Sequence, residues 1–187
     1  MSRIAVIDTE TNWADQVMSI GVVIADSGSL RPLEGKYYIL TPEQDLGGMY
    51  EDRMDLVEPE KTRLCSRREA MEDLNRFLSG AGVREMFAYN ARFDCHHLQE
   101  LGDYQWYDIM RIAAYRQYND RISPCAECCS TGRLKRSYGV EPILRCLRQE
   151  PSYRETHNAL LDALDELQIM ELLRKPLELY RQCAAIH

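Results

Sequence analysis

RIAVIDTET, residues 3–11, is an apolar run that ends in two acidic residues. Residues 3–7 are apolar or β-branched after the leading arginine, which predicts a short strand buried at the centre of a sheet. Asp8 and Glu10 follow at the end of that strand. Because residues i and i+2 of a strand share a face, both carboxylates can point at one spot from a rigid element. Two carboxylates this close repel each other unless they are protonated or bridged by a cation.

The sequence beyond this strand predicts an α/β protein. Strands are predicted at residues 17–25 and 35–40, and their short connections favour an antiparallel meander with the first strand. The elements predicted after the meander are a helix at 67–78, a strand at 85–89, a helix at 93–101, a short strand at 105–107, and helices at 108–118, 139–147, 156–174 and 176–185. This order predicts one mixed sheet with helices packed on its faces, and in such sheets sites form at the ends of strands.

The composition is that of an ordinary soluble protein. The chain has 187 residues, which favours one domain over two, and 45% of them are hydrophobic and 28% charged. No apolar run approaches the roughly 20 residues that span a bilayer, and strand-like sequence begins directly after residue 3. We therefore expect neither a membrane partner nor a signal peptide. Seven cysteines, an odd number, then indicate reduced thiols and a cytoplasmic location.

The net charge of −7 weakly disfavours tight, non-specific binding to a nucleic-acid duplex. It does not exclude nucleic acid as a partner, because a site that loads divalent metals needs carboxylates. The bound cations then supply the positive charge that the chain itself lacks.

A second acidic motif, NARFD at residues 90–94, follows the strand predicted at 85–89. Asn90 is suited to end the strand and to cap the next helix. Asp94 then lies on the first turn of that helix, near the end of the strand. The alternative interpretation is an acidic residue that simply stabilises the positive end of the helix dipole.

A third motif, HNALLD at residues 157–162, opens the long helix predicted near the end of the chain. Five residues on a helix turn the chain by about 500°, so the side chains of His157 and Asp162 would lie about 140° apart. They can flank one site only if His157 sits on the loop that enters the helix. The alternative is a helix-terminal histidine without a role and a solvated Asp162, like Asp165 and Glu166 beside it.

The three motifs occur once each and in this order, and the sequence resembles the DEDDh 3′-to-5′ exonuclease family. That family includes polymerase proofreading subunits, ribonuclease T and oligoribonuclease. The matching stretches are VIDTET at 6–11, YNARFD at 89–94 and HNALLDA at 157–163. The resemblance spans residue 4 to about residue 173. It implies a ribonuclease-H-like fold, with residues 1–187 forming a single 3′-to-5′ exonuclease domain.

The resemblance also implies a role for each motif residue. In the family, four acidic residues hold two divalent metals and a histidine is the general base. The corresponding residues here are Asp8, Glu10, Asp94 and Asp162 for the metals and His157 for the base. Mg²⁺ and Mn²⁺ are the expected metals, because both prefer carboxylate oxygen and retain waters for a substrate phosphate. Two metals about 3.5–4 Å apart clamp the attacking and leaving oxygens, while the histidine takes the proton of the attacking water.

Weaker signals predict contacts with the substrate. In family members the stretch after the first motif approaches the terminal nucleotide, so Trp13 is expected either to stack on a base or to pack on the protein surface. The family commonly has Gly-Leu here, which leaves this contact open. The basic cluster at 133–136 either contacts phosphate or forms a solvated loop. The residues assigned to substrate binding are Thr9, Thr11, Trp13, Asn90, Arg133, Lys135 and Arg136.

The cysteines raise the question of a zinc site. The candidate ligands are Cys125, Cys128, Cys129 and Cys146. A structural zinc site needs four ligands, commonly two paired knuckles, and only one C-x-x-C is present. His96 and His97 complete a site only if the fold brings them close. We therefore interpret the cysteines as reduced thiols and expect no structural zinc.

These features predict a metal-dependent exonuclease that removes nucleoside 5′-monophosphates from the 3′ end of single-stranded DNA or RNA. The alternatives are an RNA-trimming exoribonuclease of the same family and a catalytically quiet nucleic-acid-binding protein on the same fold. Nothing in the sequence identifies a groove that reads a 2′-hydroxyl, so DNA and RNA are not distinguished. A homodimer and a polymerase or repair partner also stay open.

Overall fold

A computed structural model describes residues 2–57 and 61–186. Its strands are β1 (Arg3–Thr11), β2 (Val17–Asp26), β3 (Pro32–Leu40), β4 (Thr62–Cys65), β5 (Glu85–Ala88) and β6 (Gln105–Asp108). They form one sheet in the order β4-β3-β2-β1-β5-β6. The predicted antiparallel meander of β1, β2 and β3 is confirmed, and β4, β5 and β6 each join a neighbour in parallel.

Helices cover both faces of this mixed sheet. They are α1 (Arg67–Gly80), α2 (Arg92–His97), α3 (Met110–Ala113), α4 (Val140–Arg148), α5 (Ala159–Leu173) and α6 (Leu177–Cys183), with short 3-10 helices at Glu43–Leu46, Glu51–Leu56 and Gln99–Leu101. Alternate residues of β1 serve two cores: Val6 packs with α5, and Ile7 packs with α1. Among the described residues, no helix has the length and apolar character to cross a membrane. The mixed sheet with helices on both faces confirms the predicted α/β architecture.

β1 is longer than the strand predicted from the sequence. It continues through both acidic residues to Thr11, because β2 pairs with it from Arg3↔Asp26 to Thr11↔Val17, with an irregularity between Glu10 and Thr11. Asp8 and Glu10 therefore lie within a paired strand, and not beyond its end. This pairing fixes both carboxylates more firmly than a loop would.

The strand β4 was not predicted. It has four residues, pairs only with β3 along the edge of the sheet, and exposes 61% of Leu64. A short edge strand with a charged and an exposed apolar residue carries no regular alternation, so the period-two pattern that marks the other strands is missing.

The single helix predicted at 108–118 is wrong. α3 ends at Ala113, and the chain then forms a narrow loop in which Tyr115 bridges to Arg133 and the N–H of Arg116 donates to the carbonyl oxygen of Gly132 at 3.0 Å. The buried amide of Asn119 donates to the carbonyl oxygen of Ala113 at 2.6 Å and so satisfies the end of the helix. These partners are distant in sequence, which is why local periodicity did not reveal them. The helix predicted at 93–101 is likewise divided into α2 and a 3-10 turn.

The start of α5 is set by its close approach to the sheet. Asn158 is the N-cap, and its Oδ1 accepts hydrogen bonds from the N–H groups of Leu160 and Leu161. Gly21 of β2 lies directly beneath: a Cβ there would be 2.1 Å from the carbonyl carbon of Ala159. Only glycine lets the first turn of α5 come this near, so β1 and α5 meet where their acidic residues lie.

Candidate metal centre

The strand β1 and the helix α5 carry three of the four acidic residues of the motifs. Asp8 and Glu10 project from β1 and are half-buried, while Asp162 is only 3% exposed on the first turn of α5, which packs over β1 and β2. Asp94 comes from the first turn of α2, just past the end of β5, and is 2% exposed. Three separate segments of the chain thus deliver four carboxyl groups to one end of the sheet.

His157 completes the group at its outer side. Its ring nitrogen and the carboxylate oxygens of Glu10 and Asp162 all lie within 4.8 Å of one another. It has a positive φ of 57° and precedes the N-cap of α5, so it sits on the entering loop, as the helical separation from Asp162 requires. The ring stacks on Tyr50, with centroids 3.9 Å apart and planes 9° apart. Tyr50 was not predicted, because no motif or pattern marks it.

Asp94 is oriented by the first motif. The hydroxyl of Thr9, which is 5% exposed, donates to Asp94 Oδ1 at 2.8 Å. Thr9 was assigned to substrate binding; in the structure its hydroxyl faces Asp94, and a contact with substrate stays a prediction.

The cap predicted for Asn90 is wrong. α2 has Ala91 at its N-cap without a side-chain hydrogen bond. Asn90 instead has a positive φ of 64°, a conformation that asparagine tolerates better than most residues. Its N–H donates to Asp108 Oδ1 at 3.0 Å, and its carbonyl oxygen accepts from Phe93. Asn90 therefore makes the turn that brings Asp94 back over the end of β1.

Burial and mutual repulsion raise the pKa values of the acidic groups. Burial, followed by the nearby carboxylate of Glu155, raises the pKa of Glu10 to about 7 and that of Asp162 to about 8. Burial raises the pKa of Asp94 to about 7 against the opposing hydrogen bond from Thr9. Burial also raises the pKa of Asp8 well above its ordinary value. Ionising all four carboxyl groups together therefore requires positive charge at the site.

Two further acidic residues lie at the site and were not predicted. Glu166, expected to be solvated, is 1% exposed one turn beyond Asp162 on α5. Glu155, on the loop before α5, is half-buried, and burial raises its pKa to about 7. The spacing of Asp162 and Glu166, four residues apart on one helix, was the available signal. Asp165 is not solvated either: its side chain is 15% exposed and pairs with Arg148 at 2.8 Å.

The donor set fits divalent cations. Asp162 Oδ1 and Glu166 Oε2 are buried and have no hydrogen-bond partner among the described residues. Carboxylate oxygens with no sulfur among them are the ligands that Mg²⁺ and Mn²⁺ prefer. Buried oxygens without a partner are costly unless a cation or a bound water satisfies them. The residues present are therefore suited to hold such cations.

Trp13 and Thr11, two of the residues assigned to substrate, lie just beyond the acidic residues of β1. Trp13 is 70% exposed on the turn after β1, where its backbone N–H donates to the carbonyl oxygen of Gly47 at 3.1 Å. Leu46 and Met49 lie on either side of the pair Gly47-Gly48 and are 58% and 63% exposed, so three apolar side chains are exposed near the half-buried Thr11.

The basic cluster lies on the loop that follows α3. The Arg133 guanidinium covers the Tyr138 ring at 4.7 Å, and Lys135 and Arg136 are exposed. The carbonyl oxygen of Tyr138 in turn accepts a hydrogen bond from the hydroxyl of Tyr89, the residue after β5. This contact ties the loop to the same end of the sheet as the acidic residues.

The cysteines do not assemble a metal site in the part of the chain that the structure describes. All seven are free, and no group of three or more histidine, cysteine or acidic ligands there includes a cysteine. His97 contacts Asp15 instead, with 3.2 Å between its Nε2 and the carboxylate oxygen. The absence of a structural zinc stays a prediction.

Known structures share this fold. No protein-family profile and no curated protein matches the chain in sequence. The nuclease domain of 3′hExo, a DEDDh family member bound to rAMP, superposes with a TM-score of 0.66 and 11% identity over 100% of this chain and 96% of that one. Exonuclease X in complex with 5′ overhanging duplex DNA gives a TM-score of 0.56 and 18% identity over 97% of both chains.

E. coli Exonuclease I in complex with a dA16 oligonucleotide gives a TM-score of 0.64 and 12% identity over 97% of this chain, which spans 43% of that one. At these identities the likeness shows the fold. The chain has the ribonuclease-H-like fold of the DEDDh 3′-exonucleases, as the sequence resemblance implied.

Proposed function

We propose that this protein is a cation-dependent 3′-to-5′ exonuclease that hydrolyses the terminal phosphodiester of a single strand and releases nucleoside 5′-monophosphates. One observation carries the proposal: Glu10, Asp162 and His157, from two of the three motifs, have ligand atoms within 4.8 Å of one another. Thr9 links the remaining motif to them through its 2.8 Å hydrogen bond to Asp94. The DEDDh-type fold supports the same function.

Asp8, Glu10, Asp94 and Asp162 are the residues that would hold the cations. Divalent cations, when bound, lower the pKa of the attacking water and balance charge on the phosphate. The protein fixes these carboxylates before substrate arrives: Asp8 and Glu10 sit on β1 where it pairs with β2, and Asp94 is held by the hydroxyl of Thr9. Such preorganisation lowers the cost of arranging charge during the reaction.

His157 is the proposed proton acceptor. Burial lowers the pKa of His157, so the imidazole is neutral and able to accept a proton at physiological pH. The stacked ring of Tyr50 restricts rotation of the imidazole beside Glu10 and Asp162. A proton acceptor held in one orientation at the rim of the acidic cluster suits removal of a proton from an attacking water.

Substrate contacts are proposed at the two rims. Trp13, with Leu46 and Met49 beside it, offers apolar surface on which a terminal base can stack. The basic side chains of the loop after α3 are proposed to contact phosphates of the entering strand. The proposed contact residues are Thr9, Thr11, Trp13, Asn90, Arg133, Lys135 and Arg136.

A digestion assay tests the function. Single-stranded DNA and single-stranded RNA, each labelled at the 5′ end, should shorten progressively from the 3′ end with Mg²⁺ or Mn²⁺ and stay intact with excess chelator, and fully paired duplexes should shorten more slowly. A strand blocked at its 3′ end and a closed circular strand should both resist. The relative rates on DNA and RNA separate a DNA exonuclease from an RNA-trimming enzyme.

Asp8→Asn is the matched control, since it removes one charge and keeps the shape of the side chain. No release of mononucleotides by wild type from any of these substrates would overturn the proposal in favour of a binding protein. Cleavage of the closed circle would show an endonuclease instead.

A further inference from the structure

Glu166 is a buried acid with one carboxylate oxygen that lacks a hydrogen-bond partner. It is 1% exposed, and its Oε2 has no hydrogen-bond partner among the described residues. A buried carboxyl group with an unsatisfied oxygen costs free energy, so its presence needs a physical reason. α5 packs against β1 and β2 of the sheet, and an apolar residue would fill this position at lower cost.

The surroundings of Glu166 are acidic. It lies four residues after Asp162, so both side chains point from the same face of α5 toward β1. After burial itself, the carboxylate of Glu166 is the largest influence that raises the pKa of Asp8, ahead of Asp94 and Glu10. Burial, and next Asp94, raise the pKa of Glu166 well above its ordinary value. The carboxyl groups of Glu166, Asp8 and Asp94 are therefore near enough for their charges to repel one another.

The acidic cluster thus has two sides. Glu10, Asp162 and His157 form the outer side, where their ligand atoms converge. Glu166 lies deeper, one turn beyond Asp162 on α5, and its Oε2 has no hydrogen-bond partner among the described residues. Without a cation, ionising a further carboxyl group at this position only adds repulsion with its acidic neighbours. A bound cation attracts the same charge.

We propose that Glu166 supplies a fifth carboxylate to the cation centre, one turn beyond Asp162 on α5 and on the buried side of the centre. This inference rests on the proposed function, because it requires the centre to bind divalent cations. It assigns Glu166 to the binding of the cation and leaves proton transfer to His157.

The proposal is tested without substrate by titrating cation-free protein with Mn²⁺. Calorimetry measures the heat of binding, and electron paramagnetic resonance measures the Mn²⁺ that stays free. Glu166→Gln keeps the size of the side chain, and we expect its Mn²⁺ dissociation constant to rise about 10–100-fold, the range seen when groups that support a metal site are removed. Glu171→Gln removes the same charge from an exposed position of α5 and should bind Mn²⁺ like wild type.

A second variant separates position from charge. Glu166→Asp keeps the charge and withdraws the carboxylate by one methylene, so it should also weaken Mn²⁺ binding. The cation-free Glu166→Gln protein should melt at the same temperature as wild type or higher, because glutamine has no charged form that burial and Asp94 must suppress. A purely structural Glu166 makes the opposite forecast: a lower melting temperature and unchanged Mn²⁺ affinity in both variants.

Unchanged affinity in both variants would overturn the role of Glu166 while leaving the exonuclease intact. Failure of the wild type to bind Mn²⁺ at all would instead overturn the proposed function itself. The two failures are thus distinguishable in one set of titrations.

Discussion

His157 has a position that fits two chemical roles. Its ring nitrogen is within 4.8 Å of the carboxylate oxygens of Glu10 and Asp162, which is close enough for a ligand and also for a base that serves a water between them. Stacking on Tyr50 orients the ring without using either nitrogen. The two roles differ in what is lost when the ring is removed.

We expect His157→Ala to fold normally, to keep its affinity for Mn²⁺ and to lose catalytic rate by about 10²–10⁴-fold, the range for a general base. Asp8→Ala should lose both cation binding and rate. Calorimetric titration with Mn²⁺ and rates of mononucleotide release measure the two effects. His96→Ala, an exposed histidine on α2, is the control and should leave both unchanged.

The pH profile adds a second measurement on His157. The rate should rise as the imidazole loses its proton, and burial lowers the pKa of His157, so the limb should lie below the ordinary histidine value of about 6.5. In His157→Ala this limb should flatten. A near-native rate with an unchanged profile would remove His157 from the mechanism.

At the scale of elements, the site depends on how closely α5 approaches the sheet. Gly21 faces the backbone of Ala159 and Leu160 at 2.1 Å, measured from the position a Cβ would take. Since those atoms belong to the first turn of α5, a side chain at position 21 must push away the turn that leads to Asp162.

Gly21→Ala is therefore expected to destabilise the fold by about 1–3 kcal/mol, the usual cost of overpacking, and to reduce activity as well. Urea unfolding and rates of digestion measure the two effects. Gly28→Ala is the control, since its Cβ would meet nothing closer than Asp26 Oδ1 at 3.5 Å. Equal stability of the two variants would show that α5 moves away without cost.

A separate prediction concerns Trp13, which is 70% exposed on the turn after β1. Trp13→Ala should leave stability unchanged and weaken binding of a single strand by about 1–3 kcal/mol, the value for one stacked base. Dissociation constants measured with Mn²⁺ in a His157→Ala background avoid digestion. Leu64→Ala, at the edge strand β4, is the matched exposed control. Unchanged binding would mean that Trp13 packs on the surface without touching substrate.

Some elements of the fold were predictable from the sequence and others were not. β1 and α5 were predictable because their apolar patterns are strong and each carries a motif. The strand β4 and the loop that joins Tyr115 to Arg133 were not, because their hydrogen bonds connect residues far apart in sequence. Glu166 was missed for a related reason: its burial is set by the packing of α5 on β1 and not by its own neighbours.

At the scale of the whole molecule, the acidic cluster links folding to pH. The pKa values of Glu10 and Asp94 are raised by burial to about 7, and that of Asp162 to about 8. The folded chain therefore binds protons that the unfolded chain releases near its ordinary carboxyl values. Stability falls with rising pH wherever the folded state binds more protons. The stabilising effect of these protons is complete below about pH 4 and is lost as pH rises to 7 and 8.

We therefore expect the melting temperature of cation-free protein to fall between about pH 5 and about pH 8. Mn²⁺ or Mg²⁺ should restore it, because a ligand that binds only the folded state stabilises that state, and the restoration should grow with pH as fewer protons must be displaced. Calorimetric scans with chelator and with Mn²⁺ measure both curves.

Asp162→Asn is the control for this linkage, since it removes the group whose pKa is raised to about 8. Its cation-free melting temperature should fall less steeply with pH than that of wild type, and Mn²⁺ should raise it less. If instead the wild-type curve with chelator stays flat over the whole range, folding does not raise the pKa values of these carboxyl groups. If the curve with Mn²⁺ also coincides with it, the folded protein binds no cation, and the acidic residues would have to be explained by packing.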